Sequence, residues 1–237
     1  MLILLHALLT SFIAAQAEFQ LIYNCVDMPY YMEKHDQNDY RGVLVDAFKM
    51  AAKEAGFHRT QIQMLPPNRM VQNLIEGKGH VWNGVVLPAL REHVHIGTVK
   101  LTPITLAVFS HFDSVEKLKF PEDFQNKGLI IIRGYSYGGY LDFLKKKKLN
   151  LTFHETRNHE SALKMMQANR AQFLLNYIEP VEAITKNSSF DKLYLNKINS
   201  IETFFMVSKK LPDGDIILKK LETGYLKNKK AQKTGPN

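Results

Sequence analysis

The chain contains very little cysteine and tryptophan, with Cys25 and Trp82 as the single examples among its 237 residues. One cysteine excludes both an intramolecular disulfide framework and a zinc site built from several cysteines. Beyond residue 17, no apolar run approaches the roughly 18 residues that a membrane-spanning helix needs. Internal repeats and the glycine-rich loops that bind nucleotide phosphates are also missing. These absences argue against a disulfide-stabilised scaffold, a multi-cysteine zinc protein, a repeat protein and a nucleotide-binding fold, and against a membrane-spanning helix beyond residue 17.

What remains is an ordinary globular composition, with 45% apolar and 23% charged residues. The length fits one large domain or two lobes of about 100 residues each. The 31 basic and 23 acidic residues give a formal charge of +8, which favours an anionic solute through long-range attraction. The basic run at 145–148 is interpreted as solvated surface, and the nine histidines are scattered. We therefore expect no nucleic-acid partner, no metal and no cofactor.

Residues 1–17 are interpreted as a secretory signal peptide. This segment contains no Lys, Arg, Asp or Glu, and it ends in Ala15-Gln16-Ala17, a small-x-small pattern typical of signal cleavage. We expect cleavage after Ala17 and export of the mature chain to the periplasm. An uncleaved anchor is the alternative, because the segment begins without the usual Lys or Arg.

Strand-like and helix-like segments alternate along the rest of the chain in two successive blocks. Strands are predicted at 19–25, 61–65, 81–87, 104–110, 129–132, 151–153, 172–176 and 204–208. Helices are predicted to begin near 41, 68, 140, 158, 180 and 213, with Asn68 and Asn158 as amino-terminal caps, and the polar tail from Lys227 is expected to fray. This alternation predicts an α/β protein with two lobes, each built on a parallel sheet. Ligands of such sheets bind beyond the carboxyl ends of the strands, so two facing lobes would share one cleft.

Five segments carry motifs in a characteristic order. They are MPYY at 28–31 with YRGVLVD at 40–46, RMVQNLIEGKGH at 69–80, LPALR at 87–91, RGYSYG at 133–138, and the block 162–176. Together they resemble family 3 of the bacterial extracellular solute-binding proteins, the periplasmic amino-acid-binding type. The resemblance implies a type II periplasmic binding protein, an α/β fold with two mixed, mostly parallel sheets in two lobes that two crossover strands join. Lobe 1 would comprise 18–105 plus 206–237, and lobe 2 would comprise 106–205, with hinges near 104–110 and 200–207.

The resemblance places two groups on the ligand's carboxylate. The arginine of the family's matching loop is Arg91 here, and its guanidinium presents a fork of donors that suits a carboxylate. Ser136 lies in the loop before a helix, where backbone N–H groups and the helix dipole favour an anion. Tyr135 and Tyr137 would form walls of the cleft. The alternative interpretation is a solvated Arg91, a Ser136 that only caps a helix, and packing tyrosines.

Asn176 departs from the family pattern, which usually has an aspartate there to pair with the ligand's ammonium group. An amide carries no countercharge, and this argues against an ordinary α-amino acid. The remaining candidates lie near the chain opening or on segments that should end at the cleft, with a purely structural role as the alternative: Asp27, Tyr30, Tyr31, Arg69, Trp82 and Asn83.

The sequence thus predicts a monomeric, non-enzymatic protein that binds a small polar solute, an amino acid or related carboxylate, for uptake through an ABC-type permease. A sensory relative that works with a sensor protein is the first alternative. The second is an enzyme similar to cyclohexadienyl dehydratase, in which Asp27 or Glu179 would serve as acid or base.

Overall fold

The structure is a computed structural model that describes residues 19–37, 39–186 and 188–234. The predicted signal peptide at 1–17 lies outside the described residues. The strands are β1 (Leu21–Cys25), β2 (Glu33–Lys34), β3 (Tyr40–Arg41), β4 (Thr60–Met64), β5 (Val81–Val85), β6 (Val94–Ile96), β7 (Ile104–Ser110), β8 (Gly128–Ile132), β9 (Thr152–Thr156), β10 (Phe173–Tyr177), β11 (Tyr194–Ile201) and β12 (Thr203–Ser208). The α-helices are α1 (Val43–Glu54), α2 (Pro67–Glu76), α3 (Tyr140–Lys146), α4 (His159–Gln167), α5 (Ile178–Thr185) and α6 (Gly214–Thr234).

The first sheet has the strand order β4-β1-β5-β12-β6, with β1, β4 and β5 parallel and β12 antiparallel to both of its neighbours. Helices α1, α2 and α6 accompany this sheet, and α1 packs against α6. The apolar face of α1 explains this packing, because Leu44, Phe48 and Ala51 recur at helical spacing and are fully buried. We call this unit the first lobe.

The second sheet has the order β11-β7-β10-β8-β9. Strands β8, β9 and β10 are parallel, whereas β7 is antiparallel to β10 and β11. Residues 129–132 of β8 are almost wholly buried, as expected for an apolar run in a sheet covered on both faces. This sheet with α3, α4 and α5 forms the second lobe.

The chain passes between the two sheets twice. It leaves the first sheet after β6 and enters the second with β7 at Ile104, and it returns between Ile201 and Thr203. Both passages therefore lie where the two lobes adjoin. None of the helices in the described part of the chain combines the length and apolar character that a bilayer crossing requires.

Three local predictions differ from the structure. Asn68 does not cap α2, because the helix begins at Pro67, whose fixed φ and missing N–H suit the first helical position. The polar tail after residue 227 continues α6 to Thr234. Strands β6 and β11 were not predicted, because β6 has three residues and β11 is polar and half-exposed along much of its length.

Candidate functional site

The two lobes touch through side chains at the carboxyl ends of their parallel strands. The hydroxyl of Tyr135, in the loop after β8, donates a hydrogen bond of 3.0 Å to the backbone carbonyl of Asp27, which follows β1. Gly134 lies against Pro67, so close that a Cβ added to it would be 3.3 Å from the Pro67 Cβ. A backbone with φ of 82° and this close approach both favour glycine at position 134.

A second contact joins the lobes near the first passage of the chain. Tyr31 of the first lobe is fully buried, and its hydroxyl donates a hydrogen bond of 2.9 Å to the carbonyl of Pro103. Burial, followed by the nearby Glu179 carboxylate of α5, raises the pKa of Tyr31. Glu179 also accepts a hydrogen bond of 3.4 Å from the backbone N–H of Thr105. The contact between Tyr31 and Glu179 thus joins the lobes beside Pro103, in the segment that connects the two sheets.

Between these contacts lies a small cavity of about 40 Å³, which we call the apolar cavity. Its walls come from both lobes and are mainly apolar. They include Met28, Met32, Leu44, Met70, Trp82, Tyr135, Ser136 and Tyr177. The volume suffices for one to a few water molecules, and the two lobes therefore bury an almost continuous apolar interface at this point.

Next to it lies a larger space of about 520 Å³, which we call the charged pocket. The first lobe contributes Asp27 and residues 64–68 to its walls, and the second lobe contributes Arg133, Tyr135, Arg157 and Asn158. The volume is within the range of small-molecule sites. Tyr135 and Pro67 line both spaces, so the charged pocket and the apolar cavity adjoin.

Local structure positions the polar walls of the charged pocket. Arg157 and Asn158 follow β9, and Asn158 caps α4 by accepting a hydrogen bond of 2.9 Å from the N–H of Ser161. Arg133 follows β8, and its Nε lies 3.0 Å from Glu155 Oε2. Burial, and to a lesser extent Glu33, raises the pKa of Asp27. The second lobe therefore supplies the positive charge of this pocket.

Four of the residues predicted from the sequence lie in these walls. Trp82 and Ser136 line the apolar cavity, Asp27 lines the charged pocket, and Tyr135 lines both. The indole N–H of Trp82 points back to the carbonyl of Val85 at 3.4 Å, so that its ring faces the cavity as an apolar surface. Ser136 precedes a short 3-10 turn and makes no side-chain capping bond, which leaves its hydroxyl available.

Four others lie outside both spaces. Arg91 and Arg69 are exposed and line neither one. Tyr30 is 43% exposed and packs edge-on against Tyr31, with ring centroids 4.9 Å apart. Tyr31 is buried in the contact with Pro103 described above. The structure brings the guanidinium of Arg91 into no contact with Ser136.

The other three predicted residues are buried in hydrogen bonds within their own lobes. Asn83 accepts a bond of 2.5 Å from the Tyr23 hydroxyl and donates one of 2.7 Å to the Leu44 carbonyl. The Tyr137 hydroxyl accepts a bond of 2.7 Å from the N–H of Ile132. Asn176 is fully buried, and its Oδ1 accepts a bond of 2.8 Å from the next backbone N–H. In Asn83 and Tyr137, these bonds occupy polar groups that a ligand would otherwise use.

Asn176 neighbours a buried histidine that sequence reasoning missed. His159 is 1% exposed, and its Nε2 lies 3.1 Å from the Tyr135 hydroxyl. That hydroxyl donates its one proton to the Asp27 carbonyl, so Nε2 must carry the proton that completes the contact. Burial lowers the pKa of His159 to about 4, against a smaller opposing contribution from Asn176. A neutral imidazole therefore fixes the orientation of Tyr135.

Sequence reasoning also missed the arginine pair of the charged pocket and the methionines of the apolar cavity. Arg133 stands inside the RGYSYG motif, and Arg157 directly precedes the capping Asn158. Positions immediately after parallel strands, with charge of one sign, were the available signal. In the described part of the chain, no group of three or more His, Cys, Asp or Glu side chains is placed to hold a metal ion.

Known structures share this architecture. An ancestral arginine-binding protein bound to arginine has a TM-score of 0.75 at 15% identity, with 90% of this chain and 93% of that one covered. The GluR0 ligand-binding core in complex with L-glutamate has a TM-score of 0.71 at 12% identity, with coverages of 92% and 97%. A histidine kinase sensor domain similar to periplasmic binding proteins has a TM-score of 0.72 at 16% identity, with coverages of 90% and 92%.

These likenesses confirm the predicted fold class, the two-lobed periplasmic binding protein of type II with two mixed, mostly parallel sheets. They also confirm, for the fold, the resemblance to family 3 of the extracellular solute-binding proteins. The neighbours named here are binding proteins and a sensor domain. No protein-family model matches the chain, and no curated protein matches its sequence.

Proposed function

We propose that this protein is a periplasmic solute-binding protein that closes its two lobes on a small polar solute and delivers it to an ABC-type permease. The observation that carries the proposal is the pair of inter-lobe contacts, between Tyr135 and Asp27 and between Tyr31 and Glu179, beside spaces walled by both lobes. A ligand that touches both walls favours the closed arrangement over an open one. The protein acts as a monomer after removal of its signal peptide.

The lobe boundaries at 105/106 and 205/206 belong to this proposal. They lie just inside β7 and β12, and residues 97–103 and Glu202 connect the sheets. A hinge motion of the lobes needs backbone rotation at such strand ends, while each sheet moves as a unit.

The test is a thermal-shift screen with amino acids, small carboxylates, small amides and short peptides. A ligand present at 100 times its dissociation constant adds about 2.7 kcal/mol to stability, which corresponds to a shift of roughly 5–10 °C for a chain of this size. Small-angle scattering of each positive sample should show a smaller radius of gyration with ligand. A folded protein that no member of the screen stabilises would contradict the proposal.

Sensing is the second candidate, and the likeness to a histidine kinase sensor domain favours it. The two roles differ in the partner that recognises the closed form. Uptake of a radiolabelled ligand by cells with and without the gene decides between them, because loss of uptake on deletion is expected only for a transport component. Unchanged uptake with loss of a ligand-induced transcriptional response would assign the protein to signalling.

Catalysis is not part of this proposal. Glu179 lines neither space, and Asp27 is the one carboxylate in the walls of the charged pocket. An acid–base reaction at Asp27 would appear as turnover of a cyclohexadienyl acid that is lost in Asp27→Asn. We expect no turnover by the wild-type protein.

A further inference from the structure

We propose that Arg133 and Arg157 bind the anionic group of an organic acid whose apolar part packs against Met64, Leu65 and Pro67 in the same charged pocket. The inference rests on the proposed function, because it names the class of solute that the same inter-lobe site takes. It assigns the anion-binding role to the second lobe, whereas Arg91 of the first lobe stays outside both spaces.

The first argument is the balance of charge in the charged pocket. Two guanidinium groups and one carboxylate, Asp27, line it. Arg133 is partly neutralised through its Nε by Glu155. Arg157 forms no hydrogen bond or ion pair with any described residue. The pocket therefore presents unneutralised positive charge to whatever occupies it.

The second argument is the geometry of the donors. A guanidinium offers a planar fork that binds a carboxylate or a phosphate through two parallel bonds. Arg157 lies one residue before Asn158, the cap of α4, and the amino-terminal end of this nine-residue helix adds a favourable dipole for an anion beside the two side chains. The side chain of Asn158 already caps this helix, and the anion therefore meets the arginines without displacing the cap.

The third argument is the apolar part of the charged pocket's own wall. Met64, Leu65 and Pro67 of the first lobe line the pocket together with Tyr135, and its volume of about 520 Å³ is within the range of small-molecule sites. An apolar group placed against these side chains loses contact with water and gains contact with a flexible methionine, which adapts to its shape. A free inorganic anion would leave this surface unused. The charged pocket therefore fits an amphiphilic acid.

The test uses pairs of probes that differ only in charge, measured by isothermal titration calorimetry at low and at physiological salt. The pairs are phenylacetate with phenylacetamide, and 4-methylpentanoate with 4-methylpentanamide. Phenyl phosphate and inorganic phosphate show whether the preferred anion is a carboxylate or a phosphate. We expect at least one organic anion to bind and its amide to bind at least tenfold more weakly. Added salt should lower the affinity for the anion.

The variants are Arg133→Gln and Arg157→Gln, with Arg170→Gln as the matched control. Arg170 is an exposed arginine just beyond the opposite end of α4, and it lines neither space. Loss of a charge-assisted hydrogen-bonded pair should weaken binding roughly 10- to 100-fold in the first two variants. Arg170→Gln should bind within about twofold of wild type, since surface changes away from the site have small effects. Circular dichroism checks that all three variants are folded.

Two results would overturn the inference while the proposed function stands. In one, the amides bind as tightly as the acids. In the other, Arg133→Gln and Arg157→Gln bind the anion as well as Arg170→Gln does. If no acid, amide or other solute of the thermal-shift screen binds the folded protein, the proposed function fails and the inference fails with it.

Discussion

Tyr135 of the second lobe and Asp27 of the first are joined by a hydrogen bond of 3.0 Å from the tyrosine hydroxyl to the aspartate's backbone carbonyl. The same hydroxyl contacts His159 Nε2 at 3.1 Å. One oxygen therefore connects the interior of the second lobe to the surface of the first. Because the bond uses a backbone carbonyl, replacement of the Asp27 side chain should leave it in place.

Tyr135→Phe should weaken this connection and keep the ring. The variant loses the bond to Asp27 and leaves the buried Nε2–H of His159 without a partner, at a cost of about 1–3 kcal/mol. Urea unfolding measures the loss, and small-angle scattering should show a larger radius of gyration for ligand-free protein. Tyr140→Phe is the control, since that hydroxyl makes no side-chain bond to a described residue. If the two variants have the same stability and the same radius of gyration, the Tyr135 hydroxyl does not hold the two lobes together.

Stability should fall as the pH is lowered from about 6.5 to about 4. Burial lowers the pKa of His159 to about 4, so the unfolded chain takes up this proton well before the folded one. The unfolding free energy therefore rises with pH across that window, by roughly 3 kcal/mol at most from this residue. His80, whose pKa is lowered by burial, acts in the same direction.

Urea unfolding at pH 7, 5.5 and 4.5 measures this dependence for wild type, His159→Gln and His58→Gln. His159→Gln should show a flatter profile, and exposed His58 serves as the control. If the unfolding free energies of wild type and His159→Gln depend on pH in the same way, the buried histidine does not cause the pH dependence.

Gly134→Ala and Gly139→Ala form a matched pair in one loop. Both residues have positive φ, of 82° and 91°, and each substitution should cost about 1–2 kcal/mol in backbone strain. A Cβ at 134 would meet Asn68 Oδ1 at 3.2 Å across the interface, whereas a Cβ at 139 meets nothing within 4 Å. Only Gly134→Ala should therefore reduce ligand-induced closure in scattering experiments. Equal closure in both variants would show that the contact with Asn68 adjusts freely.

The thiol of Cys25 should be inert in the folded protein. Its side chain is fully buried in β1, and burial raises its pKa to about 12. Iodoacetamide at pH 8 should alkylate it only when denaturant is added, because the thiolate is the nucleophile. Mass spectrometry gives an unambiguous count, since no other cysteine is present. Rapid labelling of the native protein would show that β1 opens locally.

Most regular elements were predictable because their apolar residues repeat at a clear period. Helix α1 and the buried segment 129–132 of β8 carry such patterns, and Asn158 was correctly predicted to cap α4. Strand β11 was missed because its place at the sheet edge leaves alternate polar side chains half-exposed, which removes the apolar signal. The pairing of β12 between β5 and β6 is a tertiary property that no local pattern contains.

The site was harder to predict because the resemblance supplied residue types without their orientation. Asn176 stands at the position that the family motif indicates, yet its side chain is buried beside His159. Arg157 belongs to none of the quoted motifs and lies at the pocket only because β9 and α4 meet there. Side-chain direction at strand ends depends on packing between lobes, which single-sequence patterns do not encode.

The place of β12 in the first sheet also determines when each half can be finished during synthesis. The second sheet uses one uninterrupted stretch, 104–201, and it can assemble as soon as that stretch leaves the ribosome. Until residues 203–208 emerge, β5 keeps an open edge and β6 has no neighbour. The amino-terminal half is therefore made first and completed last, and a nascent chain stalled before residue 203 would present that edge to chaperones and to other unfinished copies.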